Sequence, residues 1–529
     1  MGALRYYSTG FPLLFFQIFS LEIASLEKFL FYGIIYFMLL EDYRNERLRK
    51  LEELRERGVE PYPSKSERNT KIIDVVDHFD ERQGQEVTVA GRIKAIRSFG
   101  KLVFIKLRDY SGEVQIFMKA TDEAPKGLLG AKDVRLLDIG DFIEAKGKVD
   151  KTQTGEISVF ADFVKLLTKS LRPLPEKFEN KEERYRRRYV DMNVNPEVRE
   201  RLVRRSKFWQ ATRDFMNQHG FIEINIPVLE HTTGGADATP FVTHMNALNE
   251  DFYLRISHEL PLKRLLGGGF EKVYDIGPRF RNEGVDDEHL PEHIAFESYA
   301  AYENYEDGMK LYEEMIKYVA KETWGTLKFH VGGFDVDLDC KWPRVKYADL
   351  LREKFNVDVF NPDREQLIQI LLKNWDAKDL KQDDFKKKLE NTSTPHLIDD
   401  VWKLIRKTSA GPYWLIEEPL SLSPLAKKSS ENPLVTERFH PIIAGTEMGN
   451  GFSELNDPLD QLARFKEQQA ARDAGDEEAQ MLDMDFVEML EYGMPPACGW
   501  GNSERNFWLL EGVPGREAVP FPTMKSKED

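Results

Sequence analysis

The chain has 529 residues, 41% of them hydrophobic and 12% aromatic, which suits two or three domains with sizeable cores and excludes a disordered chain. Lysine and arginine number 75 against 91 aspartates and glutamates, a formal charge of −16, so bulk charge excludes nonspecific coating of nucleic acid and leaves only a local basic face. The two cysteines, Cys340 and Cys498, are too few for a disulfide framework or a cysteine zinc site; both are expected to be structural, in a reducing cytoplasm.

Residues 1–40 form a hydrophobic extension in which Glu22, Glu27 and Lys28 break the apolar run. Neither block reaches the roughly 20 residues a spanning helix needs, and no basic leader region or small-residue cleavage site is present. The extension reads as a start-site artefact ahead of Met38 in preference to a membrane anchor. Residues 41–70 begin with NERLRKLEELRERG, a helix with Leu48, Leu51 and Leu54 on a narrow stripe and Gly58 as its C-cap. Its basic residues Arg44, Arg47, Arg49, Lys50, Arg55 and Arg57 leave two equal readings, a phosphate contact and a solvated face.

Residues 71–170 give the short alternating runs VTVAGRI, LVFIKLRD, GEVQIFMK, DFIEAKGKV and ISVFADFVKLL, parted by turns such as DYSG and TQTG. Five strands predict an all-β OB-fold barrel, whose exposed strand face suits single-stranded nucleic acid, with Phe104 for stacking and Gln115 for a base edge. A basic linker, 171–190, precedes a domain spanning 191–526. That domain opens with an amphipathic helix carrying Phe208, Ala211 and Phe215, which ends at Gly220. FIEINIPVL follows as a strand closed by Pro227, and helix and strand together form a candidate dimer surface. The strands DFYLRIS, FEKVYDIG, AFESYAAY and GNGFSELN then alternate with helices in no βαβ rhythm, which predicts an α+β domain on an antiparallel sheet. Residues 343–410 read as a charged helical insertion.

No phosphate loop, dinucleotide fingerprint, HExxH or nucleophile elbow occurs. Instead, carboxylates stand in apolar strand segments: Glu259 in SHEL, Glu283 in FRNEG, Glu297 in AFESYAAY, Glu447 in GTEMGNG and Glu454 in GFSEL. A buried acid needs a partner. Arg281 and Glu283, two apart at the end of a predicted strand, leave on the same face.

From about Arg44 to Lys525 the chain resembles the class II lysyl-tRNA synthetases. HGFIEINIPVL resembles their motif 1, FRNEG through FESYAAY their motif 2 and GWGNSER their motif 3; GGADATPFVTHMNAL, SLSPLAK, GNGFSELNDPLDQ, GDEEA and LEYGMPP also match. The resemblance implies a homodimer, soluble and without a membrane segment, that uses ATP and Mg²⁺ to turn lysine into lysyl-adenylate and pyrophosphate. Lysine then passes to the 3′ end of tRNA(Lys). The amino acid's own carboxylate attacks the α-phosphorus, so positioning and charge neutralisation are the protein's tasks.

By the same resemblance, Arg281 clamps the reacting carboxylate and α-phosphate, Glu283 accepts from adenine, His289 and His293 lie along ATP, and Arg505 holds the leaving pyrophosphate. Glu297, Glu454 and Tyr299 surround the lysine ε-amine, Glu259 and the Gly235 backbone meet the α-amine, and Asn450 and Phe452 line the wall. Glu447 is the metal ligand, with His440 beside it. Arg92, Phe104, Gln115 and Glu156 read the anticodon, and RYRRRY meets tRNA phosphates.

Four departures lie near ATP. The loop reads EHLPEH where RHNPEF is usual, so Glu288 replaces an arginine and His293 a phenylalanine. His440 replaces a carboxylate, and imidazole is a poor partner for Mg²⁺. Motif 3 is one residue short and ends Glu504-Arg505 in place of Asp-Arg. An active lysine–tRNA ligase is the favoured reading; the alternatives are a lysine–protein ligase paralogue, which typically lacks the barrel, and a catalytically weakened tRNA-binding homologue.

Overall fold

The structure is a computed structural model that describes residues 40–120, 123–236, 238–287, 289–374, 382–473 and 480–527. The hydrophobic extension up to residue 39, Glu288 and the GDEEA stretch lie outside the described residues. The chain divides into two compact units, Met1–Phe178 and Glu179–Asp529.

In the first unit a helix over 40–56 places Leu54 in the barrel core, and Gly58, at φ +72°, takes the left-handed position that ends it. Arg47 is buried and donates to the Ser170 and Ile139 carbonyls, Lys50 meets Asp138 at 2.7 Å, and Arg49 and Arg57 bond Glu46 and Glu53. Much of the helix's positive charge is therefore held within the unit.

The barrel strands are β1 (Glu86–Phe99), β2 (Leu102–Arg108), β3 (Glu113–Lys119), β4 (Leu129–Gly130), β5 (Phe142–Lys151), β6 (Ile157–Phe160) and β7 (Phe163–Thr168). β1, β2 and β3 form an antiparallel meander, β6 runs parallel to β3, and β1 pairs with β5 to close the ring. The run ISVFADFVKLL, read as one strand, is two. The chain breaks at Ala161 and Asp162, so that β6 pairs with β3 and β5 while β7 pairs with β4 and β5. Alternation sends Val103, Ile105, Ile116 and Val159 inward and leaves Phe104, Gln115, Phe117 and Phe160 on the outer face.

The second unit is built on a sheet whose strands are β8 (Ile222–Glu223), β12 (Lys272–Phe280), β13 (Glu292–Ala301), β16 (Arg344–Lys346), β17 (Tyr413–Ile416), β18 (Arg438–Ile443), β20 (Asn450–Ser453) and β21 (Ala497–Ser503). Their order is β16-β17-β18-β20-β21-β13-β12-β8, with β19 (Thr446–Glu447) folding back on β18; all pairs are antiparallel except β12–β8 and β16–β17. Smaller sheets are formed by β9 (Leu229–Glu230), β10 (Val242–Met245) and β11 (Glu250–Leu254), and by the hairpin β14 (Lys328–Val331) and β15 (Phe334–Asp337).

FIEINIPVL is not the single strand its sequence suggests. It bonds Tyr274 through β8 and Ile224, then crosses at Pro227, which lacks an N–H, to pair with β11 as β9. The helices Pro196–Gln218 and Tyr305–Trp324 pack on the sheet, burying Phe208, Ala211, Phe215 and Tyr312. The insertion forms the helices Tyr347–Phe355, Arg364–Lys373, Gln382–Asn391 and Thr394–Arg406, with Leu351, Leu367 and Trp402 packed toward Leu415 of β17.

RYRRRY is helical and internally paired: Arg184 and Arg188 hold Asp191, while Arg186 and Arg187 hold Glu182 and Glu183. Cys498 is buried and Cys340 exposed. Among the described residues no helix is long and apolar enough to cross a membrane.

Candidate active site

Four adjacent strands of the second unit's sheet, β20, β21, β13 and β12, carry much of the site. In register, Asp275 of β12 faces Glu297 of β13, Glu297 faces Gly501 of β21, and Gly499 of β21 faces Phe452 of β20. The two glycines are required by space. A Cβ on Gly499 would stand 2.1 Å from the Tyr299 ring and 2.2 Å from Glu454 Oε1, and one on Gly501 would stand 2.7 Å from Glu297 Cγ. The GWG spacing therefore keeps a bare floor under three acidic or phenolic side chains.

Above this floor lies a cavity of about 600 Å³. It is lined by Gly235, Glu259, Glu297, Tyr299, Asn450 and Phe452, and also by Arg281, Arg505, His440 and Glu447. Residues far apart in sequence thus share one hollow. Glu454 stands just behind the wall, beneath the gap at Gly499, while Glu283, His289 and His293 are not part of the lining. Glu283 is exposed, and His289 is exposed and bonded to Asp286. The His293 ring meets the Leu290 carbonyl at 3.1 Å, and burial favours its neutral imidazole.

Each acid has its own electrostatic setting. Glu297 receives Ser257 Oγ at 2.9 Å, the His258 N–H at 3.3 Å and Arg279 Nη1 at 3.2 Å on one oxygen, and the Tyr299 hydroxyl at 3.2 Å on the other. Burial pushes its carboxyl up, but His258, Arg279 and Ser257 outweigh burial and hold it at about 2. Glu259 and Glu454 share the ammonium of Lys263, which is fully buried and lies 2.5 Å from Glu259. Burial raises both carboxyls, Glu454 to about 8, against the pull of Lys263.

Arg281 follows Phe280, the last residue of β12, and lines the cavity with Arg279; its Nε is buried without a hydrogen-bond partner among the described residues. A guanidinium with an unused buried donor beside a cavity is suited to an oxyanion. Arg505 opens the helix Arg505–Glu511 directly after β21. The substitution of Glu504 for aspartate is absorbed locally: one oxygen takes Arg205 at 2.6 and 2.8 Å and the other accepts the Ile294 N–H at 2.9 Å, fixing the shortened turn to β13.

His440 Nδ1 bonds Glu447 Oε1, and its Nε2 lies 3.5 Å from Glu418. Burial disfavours the imidazolium, but the two carboxylates raise it to about 9, while Glu447 is brought down to about 2. The other Glu447 oxygen faces Arg406 at 3.6 Å. A carboxylate already between an imidazolium and a guanidinium does not fit a protein-held Mg²⁺, and among the described residues no three His, Cys, Asp or Glu side chains gather as a metal site.

In the barrel, Phe104 sits in a row of rings, 6.1 Å from Phe99 and 5.2 Å from Phe117, with Phe160 4.8 Å beyond. Gln115 donates to Ser158 at 2.9 Å, Arg92 lies over the Phe142 ring, and Glu156 is exposed in the turn before β6. The four are on one unit, with Phe104 and Gln115 on the same face.

Sequence reasoning missed Lys263, Arg279, Arg438 and Glu418. Two left signals: Lys263 is four residues after Glu259 on a helix, and Arg279 two before Arg281 on a strand. The Arg438–Glu418 pair, at 2.7 Å, joins segments 20 residues apart and has no local signature.

A family model described as tRNA synthetases class II (D, K and N) matches residues 180–525, and one described as an OB-fold nucleic acid binding domain matches residues 87–167. Similar curated proteins include a lysine–tRNA ligase of Thermotoga maritima, 43% identical over 502 residues, covering 93% of this chain and 97% of that protein. Another, from Fervidobacterium nodosum, is 41% identical, covering 93% and 96%, and one from Moorella thermoacetica is 43% identical, covering 91% and 98%.

Proposed function

The chain belongs to the class II tRNA synthetases of the D, K and N family, and from that premise we propose that it is a lysine–tRNA ligase. One observation carries the choice of amino acid: Glu259, Glu297 and Tyr299 line the same cavity as Arg281, with Glu454 directly behind Gly499. Acids suit a substrate with two ammonium groups, and the Arg279 guanidinium among them is held by Glu297.

In this reading the α-ammonium rests against Glu259 and the Gly235 backbone, while the tail runs along Phe452 and Asn450 toward Glu454, Glu297 and Tyr299. Arg281 draws the substrate carboxylate to the α-phosphate of ATP and neutralises charge as the bond to phosphorus forms. Pyrophosphate departs toward Arg505. Lysine then passes from the adenylate to the 3′ end of the tRNA, whose anticodon lies on the barrel face bearing Phe104 and Gln115, with Arg92 and Glu156 nearby. No step is assigned to a metal on Glu447 or His440. The protein works in the cytoplasm as a homodimer, supported by the exposed apolar side chains Val203, Ile222 and Leu229 on and after the helix Pro196–Gln218.

The His440–Glu447 pair favours a second reading, a tRNA-binding homologue with weakened ATP chemistry. Lysine-dependent exchange of pyrophosphate into ATP decides between them. Exchange with lysine and not aspartate, followed by charging of tRNA, is the expected outcome; no exchange at any magnesium concentration would overturn the ligase.

A further inference from the structure

The most heavily buried charge cluster of the site contains a residue that the ligase reading does not use. Lys263 is fully buried on the helix Glu259–Gly267, one turn beyond Glu259. Its ammonium touches Glu259 Oε1 and Glu454 Oε2 at once and lies 5.1 Å from the Phe452 ring and 5.9 Å from the Tyr299 ring. Two buried carboxylates with one buried ammonium leave a single net negative charge when both acids are ionised. The helix fixes where that ammonium stands, because Glu259 and Lys263 occupy adjacent turns of one face.

We propose that Lys263 is a positioning residue that ties Glu259 to Glu454 and so sets the spacing between the two ammonium seats of a diamino-acid substrate. The proposal rests on the ligase reading, in which Glu259 faces the α-ammonium and Glu454 the side-chain ammonium. A carboxylate has two oxygens, and Lys263 takes one from each acid. Glu259 keeps its place in the cavity wall, and Glu454 keeps an oxygen under Gly499, where the missing Cβ opens the floor. Glu297 cannot take over this task, since both of its oxygens already accept from Ser257, His258, Arg279 and Tyr299. Removal of Lys263 as a substrate competitor is not required: the residue has no exposed surface and stays in place while the substrate's ammonium supplies the missing positive charge.

The test compares wild type, Lys263→Met and Lys263→Arg in the full chain by lysine- and ornithine-dependent pyrophosphate exchange. Wild-type exchange with lysine is the control on the ligase reading; its absence would sink that reading and not this one. With the control in hand, Lys263→Met should raise the lysine KM about thirtyfold through loss of ordered charge-assisted contacts, with kcat and the ATP KM within about threefold of wild type. Its preference for lysine over ornithine should narrow about tenfold, since ornithine differs by one methylene. Lys263→Arg should recover most of the lysine affinity. An unchanged lysine KM, or equal losses in lysine KM, ATP KM and kcat, would overturn the proposal. If the Met variant does not fold, Lys263→Gln, which keeps donors without charge, takes its place with the same expected split. Failure of both to fold would assign Lys263 to the fold alone and overturn the positioning role.

Discussion

Glu454 and Glu447 belong to the same site, yet one carboxyl is pushed to about 8 and the other pulled to about 2. Burial raises both, so the difference lies in their company. Glu454 shares one ammonium with Glu259 and feels Glu297 as a further negative charge. Glu447 has an imidazolium on one oxygen and Arg406 near the other, with Arg438 adding positive charge. Glu259 and Glu454 divide one ammonium between them, whereas Glu447 has an imidazolium and a guanidinium beside it. In the proposed ligase this asymmetry suits an ammonium group arriving beside Glu259 and Glu454.

The largest expected effect falls on Arg281. Arg281→Ala removes the guanidinium with the unused buried Nε, and exchange should fall by about 10²–10³ in kcat with smaller changes in either KM. A variant with normal kcat would remove Arg281 from the reacting centre. Glu297→Gln comes next and acts through stability. It leaves the Arg279 guanidinium without a carboxylate in a buried position, about 3 kcal/mol, so the thermal midpoint should drop along with lysine use. Glu454→Gln is its contrast. Glu259 still holds the Lys263 ammonium when Glu454 is gone, so the thermal midpoint should fall less than in Glu297→Gln, while the lysine KM rises by at least the roughly thirtyfold change expected of Lys263→Met.

The raised Glu454 carboxyl also gives a pH test. In the folded protein it holds a proton below pH 8 and releases it above, whereas an incoming ammonium needs the carboxylate. The lysine KM should therefore rise as pH falls below 8, by up to about tenfold per unit, and level off above it. Glu447, held at about 2, remains ionised throughout that range. A flat lysine KM would mean that Lys263 keeps Glu454 ionised more firmly than burial opposes it.

Much of this was legible in the sequence because it depends on local periodicity. Alternating runs announce the barrel, and acids in apolar runs mark Glu297 and Glu454 on strands and Glu259, which opens the helix Glu259–Gly267 where the sequence suggests a strand. The relations between charges were not legible. That Glu297 is saturated while Glu454 is not depends on Arg279, Ser257 and Lys263, which reach these acids from β12, from the loop after β11 and from the helix Glu259–Gly267. Likewise His440, alone in the sequence, reads as a defective magnesium ligand; only the fold shows it bridging Glu447 and Glu418. The short β8 and the split after β6 were hidden for a related reason. An apolar run states that a segment is buried, and which sheet buries each half is a property of the partners.

The smallest effect should come from the barrel, and it tests whether the two units divide the work. Phe104 stands on the outer face of β2 with Phe99 and Phe117 as ring neighbours, so removing it leaves the inward core of Ile105 and Ile116 untouched. Loss of one base stack is worth about 1–3 kcal/mol, and neighbouring rings remain to hold part of the strand. Phe104→Ala should therefore raise the tRNA KM in charging by about tenfold at the low end of that range. Pyrophosphate exchange, which needs only lysine and ATP, should not change. If exchange also fell, the barrel face and the acid-lined cavity would be energetically coupled, and assigning recognition to one unit and chemistry to the other would fail.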